Sequence, residues 1–241
     1  MQIAIVVYPG MTALDTIGPY ELLRTLTDPE IRFVWHEPGP IVTDSGTLIL
    51  AATHSFAETP APDLILIGGS LTSTMQTTCD EKLLAWLRQA HATSRWTVSS
   101  CSGSVLLAAA GLLTGRPATS HWAALPVLAS YGAKPDGTQR IVRDGKIITA
   151  AGVSAGLDLG LWLVGEIEGR DRAEAAQLLI EYDPQPPFDS GHLSKASAAT
   201  KARAVALTKH MVPARELFSE ARAGAKVLWS NAIGRARGSR R

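Results

Sequence analysis

Two short runs, Ile3 to Tyr8 and Leu64 to Ile67, are apolar along their whole length rather than at alternate positions. A strand with one solvated face alternates. A strand covered on both faces does not, and that is the habit of parallel sheets flanked by helices. Ile31 to Trp35 and Trp96 to Ser100 read as further strands of the same sheet. Helix-prone stretches fall between them, predicted from about Pro19 to Leu26, Cys79 to Ala92 and Gly103 to Leu113. Pro19 is expected in a first turn, where its missing N–H costs nothing. Strands alternating with helices imply an α/β fold, a doubly wound and mostly parallel sheet with helices on both faces. In such sheets ligands bind beyond the carboxyl ends of the strands. Those ends are Tyr8-Pro9-Gly10, Gly68-Gly69-Ser70 and Ser100-Cys101-Ser102.

The rest of the chain decorates this frame. Val42 to Phe56, with its Asp44-Ser45-Gly46 turn signal, reads as a ribbon beside the main sheet. Arg140 to Thr149 reads as a hairpin around Asp144-Gly145. Ala118 to Trp122 leads into a helix to Tyr131, and the small-residue turn Ala151 to Gly156 precedes a helix from Leu157 to Glu168. Arg172 to Tyr182 is a further helix, and the prolines from Asp183 to Phe188 force an extended loop. We expect one α/β domain over residues 1–196 and a basic, helix-prone extension over 197–241, solvated and partly frayed.

Composition narrows the setting. The 241 residues are enough for a sizeable core, and 46% are hydrophobic against 19% charged, which excludes a disordered chain. The net charge of +1 gives no whole-molecule pull on nucleic acid. Two cysteines cannot build a disulfide framework, and the six histidines show no metal-binding spacing. No apolar run approaches the ~20 residues of a spanning helix. A cytoplasmic protein is the expectation, with no metal or organic cofactor, no nucleic-acid partner and no membrane.

Chemistry concentrates at VSSCSGS, Val98 to Ser104. Cys101 stands where a strand turns into a helix, between small neighbours, as a nucleophile does on a strand-to-helix elbow. The positive end of the following helix favours a thiolate there. The alternative is a small buried hydrophobe. Asp15 lies among apolar neighbours just past a strand end, either as a helix cap or as a protonated acid aimed at Cys101. Gly69 or Ser70, with the Ser102 N–H, could donate to an oxyanion, or could simply close a turn. His121 could pair with Cys101 or sit at a helix entry. Cys79, beside Asp80, is expected to be structural.

A resemblance is carried by several segments in order: Asp15-x-x-Gly18-Pro19-x-Glu21, Gly68-Gly69, SSCSGS, Ala118-Thr119-Ser120-His121-Trp122 and AGVSAGLD. Together they resemble the ThiJ/PfpI superfamily, whose flavodoxin-like fold is shared with class I glutamine amidotransferases. The segment from Ile180 to Phe188 narrows the likeness to the isonitrile hydratase branch and the related sensor domains of arabinose-type activators. The resemblance implies Cys101 as nucleophile, Asp15 as acid/base and a required hydroxyl after the cysteine. That hydroxyl is threonine in the hydratases and Ser102 here. It also implies a homodimer, with Tyr182 and Asp183 on a loop near the site that reaches it across the dimer interface, and with His121 structural in the hydratase branch. Gly69, Ser70, His121, Tyr182 and Asp183 are the expected substrate-binding and oxyanion residues.

The activity implied is that of a lyase hydrating an isonitrile, a small-molecule substrate, to an N-substituted formamide. Cys101 would attack the terminal carbon with Asp15 as proton donor, giving a thioimidate. Asp15, now ionised, would then orient water onto that carbon. The alternatives are a glyoxalase-like or amidase-like cysteine enzyme on the same scaffold, or a non-enzymatic ligand or redox sensor.

Overall fold

The computed structural model describes residues 1–212 and 214–238. In chain order the elements run β1 (Gln2–Val6), α1 (Ala13–Leu23), β2 (Glu30–Trp35), β3 (Gly39–Val42), β4 (Ile49–Ala52), β5 (His54–Ser55) and β6 (Leu64–Ile67). There follow α2 (Thr74–Thr77), α3 (Glu81–Thr93), β7 (Trp96–Ser99), α4 (Gly103–Ala109), β8 (Pro117–Ala118), α5 (Leu125–Ser130) and β9 (Lys134–Pro135). The remainder is β10 (Ile141–Asp144), β11 (Ile147–Ala150), α6 (Ala155–Glu168), α7 (Arg170–Leu179), α8 (Ala198–Met211) and α9 (Ala214–Gly238).

The central sheet has seven strands in the order β10-β11-β7-β6-β1-β2-β5. All pairs are parallel except the edge hairpin β10–β11. Successive residues of one strand feed opposite cores. Ala4, Val6, Ile65 and Ile67 join Leu83, Leu87, Leu106 and Leu128 of α3, α4 and α5. Ile3, Ile5, Leu64 and Leu66 join Leu22, Leu159 and Leu163 of α1 and α6, with Ala176 of α7. Two apolar layers explain why the strands read as unbroken apolar runs. The ribbon β3–β4 stands apart from this sheet as expected, with Gly46 at φ 73° in its turn. Among the described residues, no helix is long and apolar enough to cross a membrane.

Three expected helices are corrected. The first spans Ala13–Leu23, not Pro19 to Leu26, and Pro19 lies inside it. Its missing N–H forfeits one helical bond, to the Asp15 carbonyl. Packing compensates: α1 lies directly on α6, where a Cβ at Gly160 would stand 3.0 Å from Pro19 Cα. The second starts at Glu81 because the Asp80 side chain caps it through the Leu83 N–H, leaving Cys79 outside and exposed. The third ends at Ala109 and gives way to turns before Leu113. The C-terminal extension forms two helices, and α9 returns to pack on α2 and α5 rather than standing free.

Candidate active site

Cys101 follows β7 with φ at 58°, a left-handed conformation costly for any residue with a Cβ. The turn is held on both sides. Its N–H donates to the Ala151 carbonyl at 2.9 Å, and its carbonyl accepts the Ser120 hydroxyl at 3.0 Å. The neighbouring strand end comes very close: a Cβ on Gly69 would stand 2.3 Å from Ser102 Oγ, and one on Gly68 would stand 2.7 Å from Asp15 Cβ. The glycine pair is therefore required for the ends of β6 and β7 and the start of α1 to converge.

Asp15 is fully buried in the first turn of α1. Its carboxylate accepts the Gly69 N–H at 3.0 Å, the Ser100 hydroxyl at 3.2 Å and the Cys101 thiol. Burial raises its pKa to about 6, and those hydrogen bonds oppose the rise. The same burial, followed by the Asp15 charge, pushes the Cys101 thiol up. The N–H groups of Ser102 and Val153 reach the sulfur and pull the other way, without winning. The expected lowering of the thiol by the helix end is thus overridden, because α4 has only seven residues and the sulfur is desolvated beside a carboxyl. At neutral pH the two groups hold one proton between them.

The remaining candidates fall into place around this pair. Ser102 Oγ lies 2.8 Å from Thr74 Oγ1 and accepts the Ser70 N–H at 3.1 Å. The Gly69 amide is spent on Asp15 and the Ser70 amide on two hydroxyls, so neither points at an incoming oxyanion. The sulfur's own amide partners come instead from Ser102 and from Val153, in the turn before α6. His121 Nδ1 accepts the Ala123 N–H at 3.3 Å, and its ring packs against Gly152. Burial holds its pKa down, which favours the neutral ring. Among the described residues, no hydrogen bond joins it to the Cys101 thiol. Tyr182 donates to Asp158 at 2.6 Å, and Asp158 pairs with Arg140. Asp183 is exposed and bonded by Gln185. Neither reaches the thiol.

A cavity of about 600 Å³ opens beside Ser120, Ala151 and Val153, which flank the turn, while Asp15, Cys101 and Ser102 do not line it. Leu14, Trp122, Leu125, Val153 and Phe188 give it an apolar wall, with His121 and Arg140 as polar members. The proline-rich loop contributes through Pro186, Phe188 and Asp189 rather than through Tyr182 or Asp183. The sequence marks Tyr8 only as a strand end and Val153 only as part of a small-residue turn, and gives no sign of Thr74. Tyr8 donates its hydroxyl to the Gly68 carbonyl at 3.1 Å, beneath the site. Its place at the carboxyl end of β1 was the available signal.

Residues 1–166, which hold the whole convergence of strand ends, match the model of the DJ-1/PfpI family. The chain belongs to that family. It is 38% identical over 230 residues to isonitrile hydratase of Pseudomonas putida, covering 94% of this chain and 98% of that protein. The crystal structure of a ThiJ/PfpI family protein from Pseudomonas syringae superposes with a TM-score of 0.84 at 37% identity, covering 94% of this chain and 90% of that one. The HTH-type transcriptional regulator CdhR of Pseudomonas aeruginosa is 28% identical over 167 residues, which is 67% of this chain and 49% of the regulator. The flavodoxin-like fold of the DJ-1/PfpI family is the one described above.

Proposed function

We propose that this chain hydrates isonitriles to N-substituted formamides, with Cys101 as nucleophile and Asp15 as the acid and base. The observation that carries the reading is the buried carboxyl of Asp15 in hydrogen-bond contact with the Cys101 thiol, its pKa raised to about 6. A carboxyl poised there can both give and take a proton near neutrality. The near full-length likeness to isonitrile hydratase supports the same reaction.

The chemistry balances with one shared proton. Asp15 takes the thiol proton as the sulfur bonds to the terminal carbon of R–N≡C and delivers that proton to the same carbon, leaving R–N=CH–S–Cys101. Asp15, now ionised, takes a proton from water as the oxygen adds to the carbon, and passes that proton to nitrogen. The hydroxyl proton then returns to Asp15, the C–S bond breaks, and R–NH–CHO leaves. Ser102 and Val153 place two N–H groups on the departing sulfur. The apolar wall of the cavity suits the substituent R. A homodimer in the cytoplasm belongs to the same proposal, and exposed Leu178, Leu179 and Phe188 offer apolar surface for such an assembly.

A ligand-sensing role is the second reading, favoured by the likeness to part of CdhR. The deciding experiment incubates the protein with a simple aliphatic isonitrile and, separately, with methylglyoxal, following formamide and hydroxyacid. Formamide from the wild type and none from Cys101→Ala is the expected result. Turnover of methylglyoxal alone would move the chain to glyoxalase-like chemistry, and turnover of neither would favour the sensor.

A further inference from the structure

The hydroxyl beside the thiol is held from outside its own turn. Ser102 Oγ meets Thr74 Oγ1 at 2.8 Å, and Thr74 also donates to the Ser70 carbonyl at 2.9 Å. Thr74 opens α2, a helix of four residues whose Ser73 makes no side-chain cap. So short a helix leaves its first amides without partners of its own. Here the N–H groups of Met75 and Gln76 both donate to the carboxylate of Glu220, at 2.5 and 3.1 Å. A carboxylate across two helix-start amides is a charge-assisted contact of the stronger kind.

Glu220 arrives on α9, from the far end of the sequence. Glu220, Gly224 and Val227 fall at i, i+4 and i+7, one stripe of that helix. Val227 is buried, and a Cβ on Gly224 would stand 3.7 Å from Met75 Cγ, so α9 lies in close contact with α2. The carboxyl is largely shielded from solvent, which raises its pKa against the pull of the two amides. Nothing in the reaction scheme uses it.

We propose that Glu220 is a positioning residue: it clamps α2, α2 holds Thr74, and Thr74 sets the Ser102 hydroxyl beside Cys101. The C-terminal helix is then a working part of the site. The kinetic half of this inference rests on the hydratase reading.

The test is a double-mutant cycle on kcat and KM for formamide formation, with wild type, Glu220→Ala, Thr74→Val and the double variant. We expect Glu220→Ala to lower kcat about tenfold with KM within twofold, and Thr74→Val to add little on top of it. Glu220→Gln should recover part of kcat, because its amide oxygen still accepts one of the two N–H groups. Should Glu220→Ala not fold, Glu220→Gln supplies the same cycle. The alkylation rate of Cys101 by iodoacetamide, in a Cys79→Ser background, gives a readout independent of the substrate. It should change in Glu220→Ala and not change further in the double variant. Wild-type kcat and alkylation rate in Glu220→Ala would overturn the proposal, as would losses that multiply in the double variant. If the wild type makes no formamide, the hydratase reading fails, while the alkylation cycle still decides the role of Glu220.

Discussion

Asp15 and Cys101 face each other across a contact in which burial makes both harder to ionise, the Asp15 charge adds to the rise at the thiol, and the thiol's hydrogen bond opposes the rise at Asp15. The sign for stability follows from the direction of the shift. A carboxyl whose folded pKa is raised stabilises the fold fully below its unfolded value and loses that contribution as pH rises through the folded one. For Asp15 the rise from 3.8 to about 6 corresponds to about 3 kcal/mol. Asp15→Asn should therefore melt higher than the wild type at pH 8, with the gain shrinking as pH falls from 6 towards 4. Thermal unfolding followed at several pH values checks this, and an equal Tm at every pH would deny the burial cost. Both residues could be read from the sequence, Asp15 because it stands just past a strand end among apolar neighbours and Cys101 because it stands at a strand end between small residues. Thr74 and the Val153 N–H could not. A backbone amide leaves no side-chain pattern, and a threonine in a run of serines and threonines has nothing to mark the one that reaches Ser102.

At the level of elements, the strands were legible and the helix starts were not. Unbroken apolar runs specify buried parallel strands directly, whereas a helix start depends on caps and on what lies across from it. Pro19 illustrates this. Local rules place proline in a first turn, yet the contact of α1 with α6 keeps it inside the helix. That contact depends on the lack of a side chain at Gly160, where a Cβ would come 3.0 Å from backbone of Pro19. Gly160→Val should cost about 1–3 kcal/mol, as overpacking does. It should also reduce turnover, since α1 carries Asp15. Denaturant unfolding measures the first effect, and unchanged stability would mean the helices separate freely. The reach of α9 back to α2 was equally hidden, because a helix of mixed pattern does not announce its partner.

Across the whole molecule, distant segments supply the site: Asp15 from α1, Gly69 from the end of β6, Cys101 from the end of β7, Val153 from the turn before α6, and the cavity wall from the proline-rich loop. The rule that ligands sit at the carboxyl ends of parallel strands points to this convergence from the sequence. It did not foresee that Tyr182 would turn away to Asp158 and leave Phe188 at the cavity. The central claim is that one buried carboxyl moves the proton in every step. The most direct measurement is kcat of Asp15→Asn on a simple aliphatic isonitrile. Loss of the acid and base should lower kcat by roughly 10²–10⁴ in a variant that is folded and no less stable than the wild type. Formamide formation at the wild-type rate would contradict the account and leave Asp15 as a residue that only ties α1 to Gly69.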